Sequence, residues 1–184
     1  MIAPGPTLET ERLILRPPAT EDFDAWAEWS ADPETMRHIG GPQARSVAWR
    51  SMRAMAGAWA LDGFGMFSVI EKASGRWIGR LGPWAPEGWP GTEVGWGVSR
   101  AVWGRGYASE GAEAAMDWAF EALGWTTIIH TIDPTNAGSI GVARKLGSYN
   151  MGPTTLPAPY EGIVVDAWGQ TREEWRTRRH KTAA

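Results

Sequence analysis

The chain contains no cysteine. Disulfides, thiolate nucleophiles and cysteine metal ligands are therefore excluded, and covalent thiol catalysis with them. The same absence suits a reducing compartment. Histidine is scarce: three residues, widely separated, offer no ligand spacing, so no metal is expected. Basic charge is not in excess either, since the formal net charge is −3. A nucleic-acid binder that relies on a general basic surface is disfavoured by that balance. There is no run of about 18 or more apolar residues and no charged stretch followed by an apolar leader core, so no membrane role is expected and the default location is the cytoplasm. Internal repeats and low-complexity linkers are missing too. The 184 residues are expected to form one domain over 1–184, with a core over 8–171 and a basic tail over 172–184 that frays.

What is abundant is tryptophan, with 13 residues. Most of these indoles should fill the core or line a cleft, because each covers much apolar area and has a single donor to satisfy. Arg12 to Arg16 alternates as a strand and is stopped by Pro17-Pro18. A helix follows from Thr20, with Glu21 and Asp22 in its first turn and Phe23, Trp26, Ala27 and Ser30 on one face, closed by Pro33. A second runs through Ala48, Trp49, Met52, Ala56 and Trp59 and ends at Gly63. Met66–Ile70 and Arg76–Leu81 around Ala73-Ser74-Gly75 read as an antiparallel hairpin, and Glu93–Val98 as a third strand. A long helix is expected from Ala108 to Leu123, then a strand over Thr126–Ile132, a short helix over Ala137–Leu146, and strands at Tyr149–Met151 and Ile163–Trp168. The fold class is α/β: a single mixed, largely antiparallel twisted sheet with flanking helices. Its central pair, Glu93–Val98 and Thr126–Ile132, is parallel because a helical crossover joins them.

Between that strand and the long helix stands Val102-Trp103-Gly104-Arg105-Gly106-Tyr107-Ala108-Ser109-Glu110. Two glycines at a helix mouth serve either a tight turn or a phosphate cradle, since a helix N-terminus carries unpaired N–H groups and partial positive charge. A nucleotide triphosphate loop needs Lys and Ser/Thr where Tyr107 and Ala108 stand. A dinucleotide fingerprint fares better, with Asp133 at the end of the next strand as a ribose-binding acid, but the chain has no second mononucleotide-binding half.

Thr10-Glu11-Arg12-Leu13-Ile14-Leu15-Arg16, Glu93-Val94-Gly95-Trp96-Gly97-Val98, Trp103 to Glu110, Asn136-Ala137-Gly138-Ser139 and Lys145-Leu146-Gly147, in this order, resemble the GCN5-related N-acetyltransferase family. In detail they resemble its branch of ribosomal-protein and antibiotic N-acetyltransferases. The resemblance implies a loop that binds the pyrophosphate of acetyl-coenzyme A through the backbone of Trp103, Gly104, Arg105, Gly106, Tyr107 and Ala108. The loop's first position, a Gln or Arg in the family, is Ala101 here, with Arg100 one residue early. Asn136 resembles the residue that contacts the pantetheine arm, and it is also a good helix N-cap. The tyrosine that serves the leaving thiolate in many relatives falls on Ala143. That leaves Ser139 as the best remaining hydroxyl and Tyr149 as a fallback.

Acyl transfer from a thioester needs a neutral amine, an oxyanion donor and a hydrogen bond or proton for the thiolate. Glu93, at the start of the strand feeding the loop, could take the amine proton directly or through water, and the resemblance points to the same position; the alternative is a solvent-facing edge glutamate. The oxyanion donor is expected to be a backbone N–H near Gly97–Val98. The expected activity is acetyl transfer from acetyl-coenzyme A to a primary amine, a protein N-terminus or a small molecule. Alternatives are a non-catalytic acyl-CoA-binding module and an NAD(P)-dependent enzyme. Trp84 and Trp89 would stack on an acceptor or cover a homodimer contact.

Overall fold

The computed structural model describes residues 5–183, so residues 1–4 and 184 of the expected domain lie outside it. The strands, in chain order, are β1 (Leu8–Glu9), β2 (Leu13–Arg16), β3 (Phe67–Glu71), β4 (Trp77–Trp84), β5 (Glu93–Val98), β6 (Thr127–Ile132), β7 (Tyr149–Thr154) and β8 (Val165–Thr171). They form one sheet in the order β1-β2-β3-β4-β5-β6-β8-β7. β5 and β6 pair in parallel at Glu93 and Ile129, as the crossover helix requires, while β1–β2, β2–β3, β3–β4, β6–β8 and β7–β8 are antiparallel. The helices are α1 (Phe23–Ala31), α2 (Pro33–Met36), α3 (Arg45–Leu61), α4 (Tyr107–Ala122), α5 (Ala137–Lys145) and α6 (Arg172–Ala183). Among the described residues, none is long and apolar enough to cross a membrane.

The chain divides into two compact units, one reaching to Gly82 and including Trp96–Ala115, the other comprising Pro83–Gly95 and the residues from Met116 onward. In the first, tryptophans do the packing expected of them. Trp26 lies 5.5 Å from Trp77, and Trp59 lies 4.8 Å from Phe67, centroid to centroid. Two of their donors find internal acceptors: Trp59 Nε1 donates to the Met66 carbonyl at 3.1 Å and Trp77 Nε1 to Ser68 Oγ at 3.1 Å. Asp22 is buried, not merely a first-turn acid. It takes the Arg16 guanidinium at 2.7 and 2.9 Å, the Ser68 hydroxyl at 2.6 Å and the Ala19 N–H at 2.8 Å, which ties the entry of α1 to β2 and β3. Pro33 ends α1 by opening the one-turn α2, where its missing N–H costs nothing and Asp32 accepts the Thr35 N–H.

In the second unit β6 runs against β8 from Thr127↔Thr171 to Ile132↔Asp166, and β7 lies outside β8. The segment expected to fray as a basic tail is instead α6. Its anchor is Trp175, 2% exposed, whose ring lies 6.3 Å from Phe120 and whose Nε1 donates to Asp117 Oδ1 at 2.7 Å. Arg179 meets Asp117 at 2.9 Å and Arg176 meets Glu121 at 2.8 Å. With Arg178 Nη2 donating to the Lys145 carbonyl at 2.7 Å, these contacts dock a helix whose composition otherwise looks solvated.

Candidate active site

The glycine loop is built by two backbone reversals. After β5 a 3-10 turn over Arg100–Val102 leads to Trp103, and Gly104 and Gly106 then adopt φ of 73° and 80°. A side chain in that left-handed region costs about 1–2 kcal/mol, so each reversal needs glycine. A Cβ at Gly104 would meet nothing within 4 Å, so dihedral angle and not space fixes the residue there. The first backbone bond of α4 runs from the Glu110 N–H to the Gly106 carbonyl at 3.0 Å. The N–H groups of the helix's opening residues thus precede its internal ladder, at the positive end of the dipole.

Side chains hold this mouth from behind. Arg12 Nε donates to Glu110 Oε2 at 2.6 Å, its Nη1 donates to the Arg105 carbonyl at 2.9 Å, and its guanidinium lies 4.4 Å from the Tyr107 ring centroid. Glu110 also accepts from the Thr10 hydroxyl at 2.5 Å and the Arg12 N–H at 2.9 Å. Burial works against the charged form of Glu110, but these donors and the Arg12 charge hold its carboxyl below the usual range. The Tyr107 hydroxyl donates to Glu71 at 2.6 Å, which pushes the phenol up. Glu71 is held low, by the Ser74 hydroxyl first and Tyr107 second. Trp103 folds back, its Nε1 donating to the Val98 carbonyl at 2.9 Å with the ring half exposed. Ser109 donates to the Gly106 carbonyl at 2.9 Å. Of the residues expected to cradle phosphate, Trp103 and Tyr107 have their polar side-chain atoms engaged within the protein, and Arg105 has its side chain exposed. Arg100 sits 3.7 Å from Asp32.

Glu93, at the head of β5, is 6% exposed, so it is not a solvent-facing edge glutamate. Its carboxylate accepts from Trp89 Nε1 at 2.6 Å, from the Thr131 hydroxyl at 2.9 Å and from the Thr131 N–H at 3.3 Å. The sequence marks neither partner as such: Trp89 is expected to stack on an acceptor or cover a homodimer contact, and Thr131 falls within the expected strand 126–132. The one usable signal was the i, i+4 spacing of Trp89 and Glu93 across Pro90 and Gly91.

Asn136 and Ser139 come together at the start of α5. Asn136 caps the helix, its Oδ1 accepting the Ser139 N–H at 3.0 Å, and both residues are half-buried. Asp133, the ribose acid of the dinucleotide alternative, takes the Thr135 N–H and hydroxyl, each at 2.7 Å, and so braces the β6–α5 turn. Ala143 is completely buried, leaving no exposed place for the family's tyrosine. Tyr149 lies exposed on β7. Among the described residues, no group of three or more His, Asp or Glu side chains is placed to hold a metal ion.

The acetyltransferase (GNAT) domain family matches residues 12–148. No curated protein matches the chain. An acetyltransferase from Agrobacterium tumefaciens str. C58 is 33% identical, with a TM-score of 0.79 over 90% of this chain and 94% of that one. The GNAT-family acetyltransferase of Bacillus anthracis shares the fold at 24% identity and a TM-score of 0.73, over 89% of this chain and 96% of its own. Mycobacterium smegmatis RimJ, solved in complex with CoA-disulfide, shares it at 22% identity and a TM-score of 0.70, over 88% and 83%. A doubly wound dinucleotide fold would need parallel strands where β6–β8 and β7–β8 are antiparallel, which removes the NAD(P) alternative. Extent of match, fold and helix-mouth loop agree: the chain belongs to the GNAT family of acetyltransferases.

Proposed function

We propose that the protein transfers the acetyl group of acetyl-coenzyme A to a primary amine by direct attack. The observation that carries this reading is the mouth of α4, where two left-handed glycines turn the chain into the helix and Arg12 fixes the Arg105 carbonyl from behind. Such a mouth suits a pyrophosphate, because its N–H groups are preorganised and need no side chain to supply charge. The backbone of Trp103 to Ala108 would hold that group, with Val98 and Asn136 along the rest of the cosubstrate; the CoA complex of the RimJ relative supports the class of ligand. The amine nitrogen attacks the thioester carbonyl carbon, a backbone N–H near Gly97–Val98 takes the developing oxyanion, and the carbon–sulfur bond breaks. Glu93 receives the amine proton. Because its carboxylate is buried and already accepts three hydrogen bonds, the proton travels through a water rather than by direct contact. Ser139 donates a hydrogen bond to the leaving sulfur, since a hydroxyl holds its proton too tightly to be a strong acid.

The acceptor is a protein N-terminus or a small-molecule amine. A terminal α-amine, with a pKa near ~8, is easier to neutralise than an alkyl amine near ~10. The second reading, a non-catalytic acyl-CoA-binding module, draws on the buried Ala143 at the tyrosine position. The two separate in one assay: thiol release from acetyl-coenzyme A in the presence of N-terminal peptides and small amines. Amine-dependent release supports the transferase, and acetyl-coenzyme A binding without release under every acceptor supports the module.

A further inference from the structure

The ladder between β5 and β6 starts as backbone and continues through side chains. The Ile129 N–H donates to the Thr92 carbonyl at 2.9 Å, and Glu93 registers with Ile129. In a regular parallel ladder the next bond donated by β6 would run from the Thr131 N–H to the Val94 carbonyl. Each of those groups is taken by a side chain of the opposite strand: Thr131 N–H donates to Glu93 Oε1 at 3.3 Å, and the Val94 carbonyl accepts from His130 Nδ1 at 2.7 Å. A carbonyl only accepts, so Nδ1 carries the proton and Nε2 is the acceptor. Nε2 lies 3.0 Å from the Ser148 hydroxyl, which therefore donates to it, and Ser148 Oγ accepts in turn from Gln170 Nε2 at 2.9 Å. The same Gln170 amide also donates to the Leu146 carbonyl at 2.9 Å. Gln170, Ser148, His130 and Val94 form a directional chain, and its three side chains are all buried.

The two exchanges are linked. Were His130 unable to donate, the Val94 carbonyl would be buried without a partner, and the Thr131 N–H is the nearest group in the ladder sequence that could satisfy it. That would withdraw the Thr131 N–H from Glu93. We propose that His130 is a positioning residue for acetyl transfer: by occupying the Val94 carbonyl, the His130–Ser148–Gln170 relay releases the Thr131 N–H to fix the Glu93 carboxylate. This rests on the reading that Glu93 receives the amine proton.

The test compares His130→Val, which removes the donor, with His130→Asn, whose Nδ2–H can still reach the Val94 carbonyl, each confirmed as folded by far-ultraviolet circular dichroism. In acetyl transfer, His130→Val should lower kcat roughly tenfold, a fraction of what a positioned base supplies, with KM for acetyl-coenzyme A nearly unchanged. His130→Asn should recover most of the loss. A folded His130→Val with wild-type kcat, or no recovery by His130→Asn, overturns the proposal. Nuclear magnetic resonance tests the positioning independently of activity. The wild-type imidazole should be the Nδ1–H tautomer, and the Thr131 amide proton should shift on Glu93→Gln in the wild-type background but not in His130→Val. An Nε2–H tautomer, or a Thr131 response that persists in His130→Val, overturns the proposal. If the wild type transfers no acetyl group, the proposed function fails while the resonance measurements still decide the positioning.

Discussion

The Trp89 indole N–H and the Glu93 carboxylate are joined at 2.6 Å, four residues apart across the turn that leads into β5. With the Thr131 hydroxyl and N–H on the same carboxylate, Glu93 is held by donors from its own entry turn and from the neighbouring strand β6. A carboxylate restrained in this way can present one geometry to a relay water, which a freely rotating surface acid cannot.

Glu93→Gln should therefore act twice. Its amide carries two donors of its own, so it cannot accept everything that Trp89 and Thr131 offer, and stability should fall by about 1–3 kcal/mol in denaturant unfolding. Loss of the proton acceptor should lower kcat by about 100-fold or more in steady-state kinetics. Wild-type kcat in a folded Glu93→Gln protein would remove Glu93 from the reaction.

The glycine at 104 is required by its dihedral angle, because a Cβ there would touch nothing. Gly104→Ala should cost about 1–2 kcal/mol of stability if the loop keeps its path. Where the loop instead relaxes, the N–H groups before α4 lose their alignment and KM for acetyl-coenzyme A rises with little change in kcat. Titration calorimetry with acetyl-coenzyme A, alongside urea unfolding, measures both.

Much of this was legible beforehand, and the reasons are specific. Helix α4 and strand β5 were read almost to the residue, because an unbroken apolar face over 16 residues and alternation bounded by loops are strong local signals. The parallel pairing of β5 with β6 follows from the helical crossover that joins them. α6 was missed because its docking depends on a single Trp175 and on Asp117 and Glu121, more than fifty residues away in sequence. The same blindness hid the environment of Glu93: periodicity marks which face a side chain takes, but not that Thr131 will surrender its ladder bond to it. His130 carries no signal beyond its place in the expected strand 126–132, since its partners Ser148 and Gln170 reach it only through the β6–β8 pairing and the end of α5.

Burial pushes the His130 imidazole down to about 4, although its bond to the Val94 carbonyl works the other way. In the unfolded chain the group returns to its ordinary 6.5 and binds protons more readily than in the folded state. The contribution is thus fully present above pH 6.5 and is lost as pH falls toward 4, about 3 kcal/mol in all. Unfolding free energies measured across that window should decline more steeply for the wild type than for His130→Asn. Parallel curves for the two proteins would contradict the assignment.

Trp175 is the apolar anchor of α6 and the donor to Asp117. Trp175→Ala should destabilise the protein by about 3–5 kcal/mol, seen as a large drop in Tm with partial loss of helical circular dichroism. A change below about 1 kcal/mol would mean that the helix is held by its ion pairs and the Arg178–Lys145 bond rather than by the indole.

The central claim is acetyl transfer to an amine, and intact-mass spectrometry of an acceptor panel tests it most directly. The wild-type protein, acetyl-coenzyme A and a mixture of N-terminal peptides and small primary amines should give acetylated product from at least one acceptor, with matching release of free thiol. No acetylated product from any acceptor, in a preparation that still binds acetyl-coenzyme A, would contradict it.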